Sequence, residues 1–313
     1  MLVITSLEDL RAEDFSQGSA VAVGKFDGVH LGHRAIISSM LREAEQHGLV
    51  SVVFTFRNNP LSYLNPSICP KPLSSAQQRI EQLEAAGVDV CVMVEFDQAF
   101  SEIPAESFID DVLVKQLHAQ HVTLGSDFRF GHRGAGDGAL LREHGRSQGF
   151  AVEVVESITD DAKGVVSSSR IREALNDGDV ALVAEMLGRP YAVRGTVVHG
   201  DARGRELGFP TANVGGNVEG FVPADGVYAG AVIVDGVERV AAISVGVNLT
   251  FDPEGEPRVE AFILDFEGDL YGKRIEVVFV QRIRPMLPFD SAEALVERMH
   301  EDVAETRRIL ARR

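Results

Sequence analysis

The first half of the chain alternates between short apolar runs and longer runs with helical periodicity. The apolar runs are rich in valine and phenylalanine and predict five strands: Ala20–Val23, Val50–Phe56, Val90–Phe96, His121–Leu124 and Ala151–Val155. Between them, apolar residues three or four apart predict four helices: Ala35–His47, Ala76–Ala86, Ala105–His118 and Gly138–Gln148. This alternation predicts an α/β domain with a parallel, doubly wound sheet.

From Tyr191 onward the helical periodicity disappears, and glycine-rich turns separate short strands. The predicted strands are Ala192–Val198, Gly226–Val234, Arg239–Val245, Val259–Leu264 and Arg274–Phe279. They indicate an antiparallel barrel or sandwich, followed by a terminal helix that Ser291 can cap and that ends near Leu310. A boundary near Gly188-Arg189-Pro190 gives two predicted domains, residues 1–187 and 188–313.

Composition narrows the function classes. The 313 residues exceed a typical single domain, and the formal net charge of −17 argues against a nucleic-acid or anionic-membrane binder. Neither Cys69 nor Cys91 has the spacing of a disulfide framework or a zinc site. No targeting segment is visible, and no apolar run approaches the roughly 20 residues of a membrane helix. We expect a cytoplasmic protein acting on small molecules, and a weak homo-oligomer stays open.

The run GKFDGVHLGH, Gly24 to His33, is the most informative motif. It joins the first strand to the first helix, at the carboxyl edge of the sheet where such folds bind ligands. Its glycines let the backbone approach a ligand, and the helix N-terminus offers unpaired N–H groups to phosphate. His30 and His33, three residues apart, can face the same ligand. The other binding candidates here are Gly24, Phe26, Asp27, Gly28 and Gly32.

Two later segments strengthen a phosphate-binding interpretation. In VSSSRIREAL, Val166 to Leu175, serines can cap a helix and donate to phosphate oxygens, and an arginine can grip two of those oxygens at once. The candidates there are Ser167, Ser168, Arg170 and Arg172. In GSDFRFG, Gly125 to Gly131, Phe128 and Phe130 are suited either to a planar ligand ring or to the core.

The H-x-G-H pattern from His30 to His33 resembles the signature of the nucleotidylyltransferase superfamily. Its members attack the α-phosphate of a nucleoside triphosphate and release pyrophosphate. Because one phosphate attacks another, the protein must supply cationic or dipolar donors rather than a nucleophile. The two histidines would bind the ATP phosphates and the transition state, and the serine–arginine segment would hold the pyrophosphate.

The second domain has its own candidate site in VVHGDARGRELGFPTAN, Val197 to Asn213. It lacks the lysine and spacing of a Walker A loop, so phosphate binding would rely on backbone donors and on Mg²⁺. Thr211 and Asn213 offer the hard oxygen ligands that Mg²⁺ prefers, although such a segment can equally form a plain turn. The nucleotide-binding candidates are Gly200, Gly204, Gly208 and Pro210.

Glu260 stands among apolar residues in the predicted strand VEAFILD, Val259 to Asp265. A carboxylate there needs a partner or a function, because its burial is otherwise costly. It is either a salt-bridged or edge-strand residue, or a general base that deprotonates a hydroxyl for phosphoryl transfer.

Together these motifs resemble the bacterial bifunctional riboflavin kinase/FMN adenylyltransferase (FAD synthetase) family. The resemblance covers almost the whole chain and includes DLYG, Asp269 to Gly272. It implies a Rossmann-like adenylyltransferase domain followed by a riboflavin kinase barrel, a six-stranded antiparallel Greek key. It also implies that ATP phosphorylates riboflavin to FMN in the second domain, and that a second ATP adenylates FMN to FAD in the first.

The resemblance assigns the same roles as the chemistry of the residues. His30 and His33 correspond to histidines that bind ATP phosphates, and the serine–arginine segment corresponds to a triphosphate loop. Asp127, in GSDFRFG, is expected near flavin or adenine. Thr211 and Asn213 correspond to Mg²⁺ ligands, and Glu260 corresponds to the catalytic base.

Three positions depart from the family pattern. The family's F-D-P-H-P run is Phe56-Arg57-Asn58-Asn59-Pro60 in this chain, its N-P-T-F run is Asn248-Leu249-Thr250-Phe251, and Leu287-Pro288 replaces a charged position near the C-terminus. The first departure motivates an alternative, a riboflavin kinase with an impaired adenylyltransferase domain. Two weaker alternatives are a flavin-binding sensor or carrier without turnover, and an unrelated nucleotidylyltransferase with an appended barrel.

Overall fold

Contacts divide the chain into two compact units, Met1–Ser167 and Ser168–Arg313. The computed structural model describes residues 1–160, 164–200, 204, 207–246 and 258–312. The departure at Asn248-Leu249-Thr250-Phe251 lies outside the described residues, as does most of the loop between Gly200 and Gly208.

The first unit is built on a six-stranded sheet in which all neighbouring strands are parallel. Its strands are β1 Leu2–Ile4, β2 Ser19–Val23, β3 Val50–Phe56, β4 Val90–Val94, β5 Ala119–Gly125 and β6 Ala151–Val155, in the order β1-β4-β3-β2-β5-β6. The chain runs from β2 through β3 to β4 on one side and then crosses to β5 on the other. The carboxyl ends of β2 and β5 therefore flank the topological switch point, where ligands of such sheets bind.

Helices cover both faces of this sheet. They are α1 Leu31–His47, α2 Pro60–Leu64, α3 Ala76–Ala85, α4 Gln98–Ser101, α5 Ala105–Ser107, a π-helical segment Phe108–Gln116 and α6 Gly138–Gln148. One face packs on α1 and α3 through Ala20, Ala22, Val53, Ile37, Met40 and Leu83. The other packs on the π-helical segment and α6 through Val21, Val23, Phe54, Ile109, Leu113 and Leu141. This arrangement confirms the predicted doubly wound α/β sheet.

The predicted helix at Ala105–His118 has a different backbone from an α-helix. Only Ala105–Ser107 is α-helical, and Phe108–Gln116 follows as a π-helix that buries Phe108 and Ile109. Apolar spacing reports which side of a segment is buried, and it does not distinguish i→i+4 from i→i+5 hydrogen bonds.

Short elements complete the first unit. They are 3₁₀ turns at Leu7–Asp9, Ala12–Phe15, Pro66–Ile68 and His132–Gly134, and a small ribbon of β7 Thr159–Asp160 and β8 Gly164–Val165.

The second unit contains a closed antiparallel barrel. Its strands are β9 Tyr191–Val198, β10 Ala212–Glu219, β11 Gly226–Val234, β12 Val237–Gly246, β13 Arg258–Ile263 and β14 Arg274–Arg284, in the order β10-β13-β12-β11-β14-β9. Pairing of β9 with β10 closes the barrel, which confirms the predicted barrel over a sandwich. Helix α9, Ala292–Leu310, follows, and Ser291 Oγ caps it by accepting from Ala294 N at 3.2 Å.

Two helices precede the barrel in this unit, α7 Ser168–Asp177 and α8 Val180–Leu187. The carbonyl of Leu175 accepts from Ala224 N at 2.8 Å, and Arg282 Nη1 donates to the carbonyl of Asp177 at 3.1 Å. These bonds attach α7 to the barrel side of the chain. The compact units divide at residues 167 and 168. The predicted boundary at residues 187 and 188 separates the two expected activities, and it stays a prediction.

None of the described helices is long and apolar enough to cross a membrane. Both cysteines are free thiols, and burial raises the pKa of Cys91 to about 12.

Candidate active sites

The turn between β2 and α1 has a strained backbone at the switch point. Phe26, Gly28 and Val29 have φ of 50°, 82° and 40°. A Cβ on Gly28 would also lie 2.9 Å from Leu73 Cδ1, so glycine is required there. Left-handed non-glycine residues persist only where their surroundings fix them, and they concentrate at ligand sites.

The segment Leu73–Ser74 fixes this turn by hydrogen bonds. Asp27 Oδ1 accepts from Leu73 N at 2.9 Å and from Ser74 N at 3.4 Å, while Ser74 Oγ accepts from Gly28 N at 3.2 Å. Phe26 is fully buried, and Gly24 N donates to the Phe54 carbonyl at 3.1 Å. The predicted binding residues Gly24, Phe26, Asp27 and Gly28 thus shape the turn.

The two predicted histidines lie together at the N-terminus of α1. Their rings stack with centroids 3.6 Å apart at 19°. His30 Nδ1 accepts from His33 N at 3.3 Å, so His30 is the N-cap of the helix. A Cβ on Gly32 would lie 3.1 Å from His30 Cε1, which explains the glycine between them. The pair therefore presents imidazole where a helix N-terminus already favours anions.

The environment of His33 holds its imidazole neutral. Its Nδ1 is enclosed and has no hydrogen-bond partner among the described residues. Burial, and then the neighbouring charges of His30 and Arg79, lower the pKa of His33 well below its usual range. An anion placed beside the ring would favour the protonated form and raise this pKa.

Arg79 is a residue of this site that the sequence analysis missed. It lies on α3 and is 6% exposed, and its guanidinium donates to the Lys25 carbonyl at 2.9 Å and to the Arg57 carbonyl at 3.0 Å. Lys25 belongs to the turn after β2 and Arg57 follows β3, so one side chain joins two loops of the switch-point edge. The sequence feature that could have revealed Arg79 is an arginine four residues before Leu83, on the buried face of the predicted helix.

The second loop at the switch point follows β5. Asp127 is exposed there, in a turn closed by the bond from Phe128 N to the Gly125 carbonyl at 3.1 Å. Phe130 is 8% exposed and packs 5.6 Å from Phe108, and Phe128 also packs against this core. The structure thus decides the open alternative for Phe130 in favour of the core.

The serine–arginine segment spans the division between the two units. Val166 and Ser167 end the first unit, and Ser168, Arg170 and Arg172 lie in the first half of α7. The Val166 carbonyl is 3.7 Å from the position of a Cβ on Gly32. The chain therefore enters this segment next to the histidine pair.

In the second unit, three predicted residues form a cluster of oxygens on one face of β10 and β13. Asn213 pairs directly with Glu260 across these strands, and Thr211 Oγ1 donates to Glu260 Oε2 at 3.4 Å. The neighbours Ala212, Val214, Val259 and Ala261 are buried, while Asn213 and Glu260 are half-buried on the opposite side of their strands. Glu260 is therefore an outward-facing carboxylate on a strand that is paired on both sides, and it is not an edge-strand residue.

This donor set fits a magnesium ion. The Thr211 hydroxyl keeps lone pairs while it donates to Glu260, and Asn213 Oδ1 is enclosed without a hydrogen-bond partner among the described residues. A Cβ on Gly200 would lie 2.6 Å from Asn213 Oδ1, so the chain after β9 closes over that atom. Hydroxyl and amide oxygens without competing partners are suitable ligands for a hard cation.

Gly204 and a small cavity lie beside these oxygens. A Cβ on Gly204 would be 2.4 Å from the Phe209 carbonyl and 3.6 Å from Thr211 Oγ1, and Gly208 has φ of 85°. Pro210 and Thr211 line a cavity of about 70 Å³ together with Gly268–Tyr271. The DLYG motif therefore borders the same cavity, and Tyr271 stacks on His199 with centroids 3.8 Å apart.

Comparison with known proteins assigns both units. Residues 12–170 match a family model described as FAD synthetase, and residues 187–310 match one described as riboflavin kinase. The bifunctional riboflavin kinase/FMN adenylyltransferase of Listeria monocytogenes is 37% identical over 93% of this chain and 92% of its own length. The chain belongs to this family.

Two further comparisons extend over almost the whole chain. The family member of Pseudomonas fluorescens is 37% identical over 99% of this chain and 98% of its own length. A solved structure described as a macrolide-efflux protein from Streptococcus pneumoniae is 33% identical. It covers 98% of this chain and 99% of its own, with a TM-score of 0.85.

The family's F-D-P-H-P run is replaced here by residues with structural contacts. Asn58 Oδ1 accepts from Phe96 N at 2.8 Å and its Nδ2 donates to the Phe96 carbonyl at 3.0 Å, which joins the ends of β3 and β4. Asn59 Oδ1 caps α2 by accepting from Leu61 N at 3.0 Å. Leu287, at the C-terminal departure, is 43% exposed.

Proposed function

We propose that this chain phosphorylates riboflavin to FMN in the second unit and adenylates FMN to FAD in the first, using one ATP for each step. The observation that carries the proposal is that both family models match one chain, over residues 12–170 and 187–310. We also propose that the activities divide at residues 187 and 188. The riboflavin kinase match, which begins at residue 187, supports that division.

In the kinase step, Glu260 is proposed as the general base that accepts the proton of the riboflavin hydroxyl. Its Oε2 already accepts a hydrogen bond from Thr211, so the carboxylate is oriented before substrate binds. Thr211 and Asn213 are proposed to hold Mg²⁺, which would neutralise charge on the ATP phosphates. Gly200, Gly204, Gly208 and Pro210 are proposed to line the nucleotide-binding side.

In the adenylyltransferase step, the FMN phosphate attacks the α-phosphate of ATP and pyrophosphate leaves. His30 and His33 are proposed to bind the ATP phosphates and the charge that develops in the transition state. Ser167, Ser168, Arg170 and Arg172 are proposed to hold the pyrophosphate, and Asp127 to lie near the flavin or adenine. The glycines and the hydrogen-bonded Asp27 support this role by fixing the turn that presents the histidines.

The alternative of an impaired adenylyltransferase domain has no support in the comparisons. The departure that motivated it, Asn58 and Asn59, consists of side chains that stabilise the loops after β3. Both histidines that are proposed to bind the ATP phosphates are present, with ring centroids 3.6 Å apart.

The test is a product time course with the full chain, riboflavin, ATP and Mg²⁺, followed by chromatography. Glu260→Ala should lower FMN formation by about 10²–10⁴-fold, the range of a lost general base, and leave FMN-to-FAD conversion unchanged. His30→Ala combined with His33→Ala should lower FAD formation by about 10²–10³-fold, the range of a lost charge-stabilising donor, and leave FMN formation unchanged.

Matched controls separate catalysis from folding. Glu267→Ala removes an exposed glutamate of the second unit, and His144→Ala removes a histidine of the first unit that lies away from the turn. Both should behave as the unaltered chain. Loss of both activities in either catalytic variant, with an unchanged circular dichroism spectrum, would show that the two-site assignment is wrong.

A further inference from the structure

Three side chains of types that can bind a metal ion lie together in the first unit, away from the glycine–histidine turn. Glu43 on α1, His121 on β5 and Glu153 on β6 each bring one ligand atom within 4.8 Å of the other two. His121 lies in the first half of β5, and Glu43 lies in the last turns of α1. The group therefore lies toward the opposite ends of these elements from His30 and Asp127.

His121 is buried with one ring nitrogen directed at the carboxylates. It is 7% exposed, and its Nδ1 is 3.3 Å from Thr123 Oγ1. Its Nε2 lies 4.0 Å from Glu43 Oε2, which is too long for a hydrogen bond. With Nδ1 engaged by the Thr123 hydroxyl, Nε2 is the ring atom that faces the carboxylates. A histidine that binds a metal commonly has its other ring nitrogen held in this way.

Among the described residues, no lysine or arginine forms an ion pair with Glu43 or Glu153. Glu153 Oε2 accepts from Ser39 Oγ, and Arg42 reaches that site only through the same hydroxyl, at 3.1 Å. Glu43 is 3.5 Å from His47 at the rim. Two carboxylates within 4.8 Å of one imidazole nitrogen repel each other, and a divalent cation between them would remove that repulsion.

The spacing is close to that of a formed site. Zinc bonds of about 2.0–2.2 Å place ligand atoms at most about 4.4 Å apart, so small side-chain rotations close the present group. One imidazole with two carboxylates suits Zn²⁺ better than Mg²⁺, which prefers oxygen ligands alone.

We propose that Glu43, His121 and Glu153 bind one Zn²⁺ ion, with His47 available as a fourth ligand. The ligands come from three elements, so the ion would attach the C-terminal turns of α1 to β5 and to the edge strand β6. Its role is structural: it would hold α1, β5 and β6 together at a distance from the glycine–histidine turn.

The test is zinc binding to the full chain, stripped with a chelator and titrated without Mg²⁺ against a chromogenic zinc indicator. We expect one tight site per chain and a rise in melting temperature with Zn²⁺. Glu153→Gln and His121→Gln should each weaken this site by at least about tenfold and reduce the rise in melting temperature, since even outer-sphere changes cost metal sites that much.

The control is His144→Gln, which alters a histidine 3.4 Å from the single carboxylate of Asp110. It should bind zinc as the unaltered chain does. Glu153 is half-buried, so its glutamine variant keeps the comparison valid if the His121 variant folds poorly. Equal zinc affinity in Glu153→Gln and the unaltered chain, or no tight site in either, would overturn the proposal. Neither variant touches the histidine pair or Glu260, so this outcome is independent of the proposed function.

Discussion

At each candidate site, a residue predicted from the sequence has an enclosed polar atom without a hydrogen-bond partner among the described residues: His33 Nδ1 in the first unit and Asn213 Oδ1 in the second. Such an atom costs about 1–3 kcal/mol of folding free energy. Both atoms belong to residues that the sequence analysis had selected for phosphate or magnesium chemistry. A bound ligand or a changed protonation state can supply the missing hydrogen bond of these atoms. The folding free energy that they cost is therefore confined to the places where binding is proposed.

Binding of ATP to the first unit should take up a proton. His33 is neutral in the free protein because burial lowers its pKa, and a triphosphate beside it raises that pKa. Isothermal titration in buffers of different ionisation enthalpy at about pH 6.5, near the ordinary histidine pKa, should show proton uptake that His33→Gln reduces. Equal uptake in both proteins would exclude His33 as its source.

The same shift has a defined sign for folding stability. Below the ordinary histidine pKa of 6.5 the unfolded chain binds a proton at His33 that the folded chain does not. The contribution of neutral His33 to the free energy of unfolding is therefore present above pH 6.5, and it is lost as the pH falls toward the lowered folded-state pKa. Urea unfolding followed by circular dichroism, since the chain has no tryptophan, should show a smaller loss of stability on acidification in His33→Gln.

Secondary-structure elements place these residues through a few buried polar side chains. Arg79 joins the loops after β2 and β3, and Asp27 joins the turn to Leu73–Ser74. In the second unit, Arg284 at the end of β14 holds α9 through a buried, bidentate pair with Asp302, with Nη2 2.8 Å from Oδ2. Each contact joins segments that are distant along the chain.

Arg79→Met should lower the rate of FAD formation without changing FMN formation. The variant leaves the carbonyls of Lys25 and Arg57 without their donor, at a cost of about 1–3 kcal/mol each if they stay unsatisfied. Arg79→Lys keeps the charge and one donor and should retain intermediate activity. Steady-state kinetics of both reactions test this, and a kinase defect in Arg79→Met would contradict the positioning role.

Asp302→Ala should destabilise the second unit by about 3–5 kcal/mol, because it leaves the buried Arg284 guanidinium unpaired. Glu301→Ala is the matched control on the same helix, since its pair with Arg298 is exposed and worth at most about 1 kcal/mol. Urea unfolding of both variants measures the difference. Similar midpoints would mean that the pair does not hold α9.

At the scale of the whole molecule, each unit has its own core, and the histidine pair lies in the first unit while Glu260 lies in the second. The first unit buries side chains on both faces of its sheet, and the second buries residues such as Tyr228 and Phe279 in the barrel. The chain has a net charge of −17 and is nevertheless proposed to bind ATP, an anion. It would do so through local donors, namely helix N-termini, imidazole, guanidinium groups and Mg²⁺, rather than through a basic surface.

Two variants that each lack one of the two activities should therefore convert riboflavin to FAD when they are mixed. The His30→Ala, His33→Ala chain would make FMN, and the Glu260→Ala chain would convert released FMN to FAD. FAD should appear after a lag that shortens as the protein concentration rises, measured by chromatography. A mixture that accumulates FMN without FAD would show that one site needs an active partner site in the same chain.

Local pattern predicted most elements of both units. β3, α6 and β11 have the predicted bounds, and the terminal helix starts after the predicted Ser291 cap. The short β1 was missed because three residues carry too little pattern. β10 was missed because Gly215 weakens its strand signal, and this strand carries Asn213.

The sequence by itself determined most of the elements, their order, and the turn and strand that carry the histidine pair and Glu260, because burial periodicity and turn chemistry are local properties of the chain. Only the tertiary structure decided which side chains meet. The pairing of Asn213 with Glu260, the bonds of Arg79 and the group of Glu43, His121 and Glu153 all depend on strand register and on packing between distant segments. Those contacts are set by the whole fold, and no short window of sequence contains them.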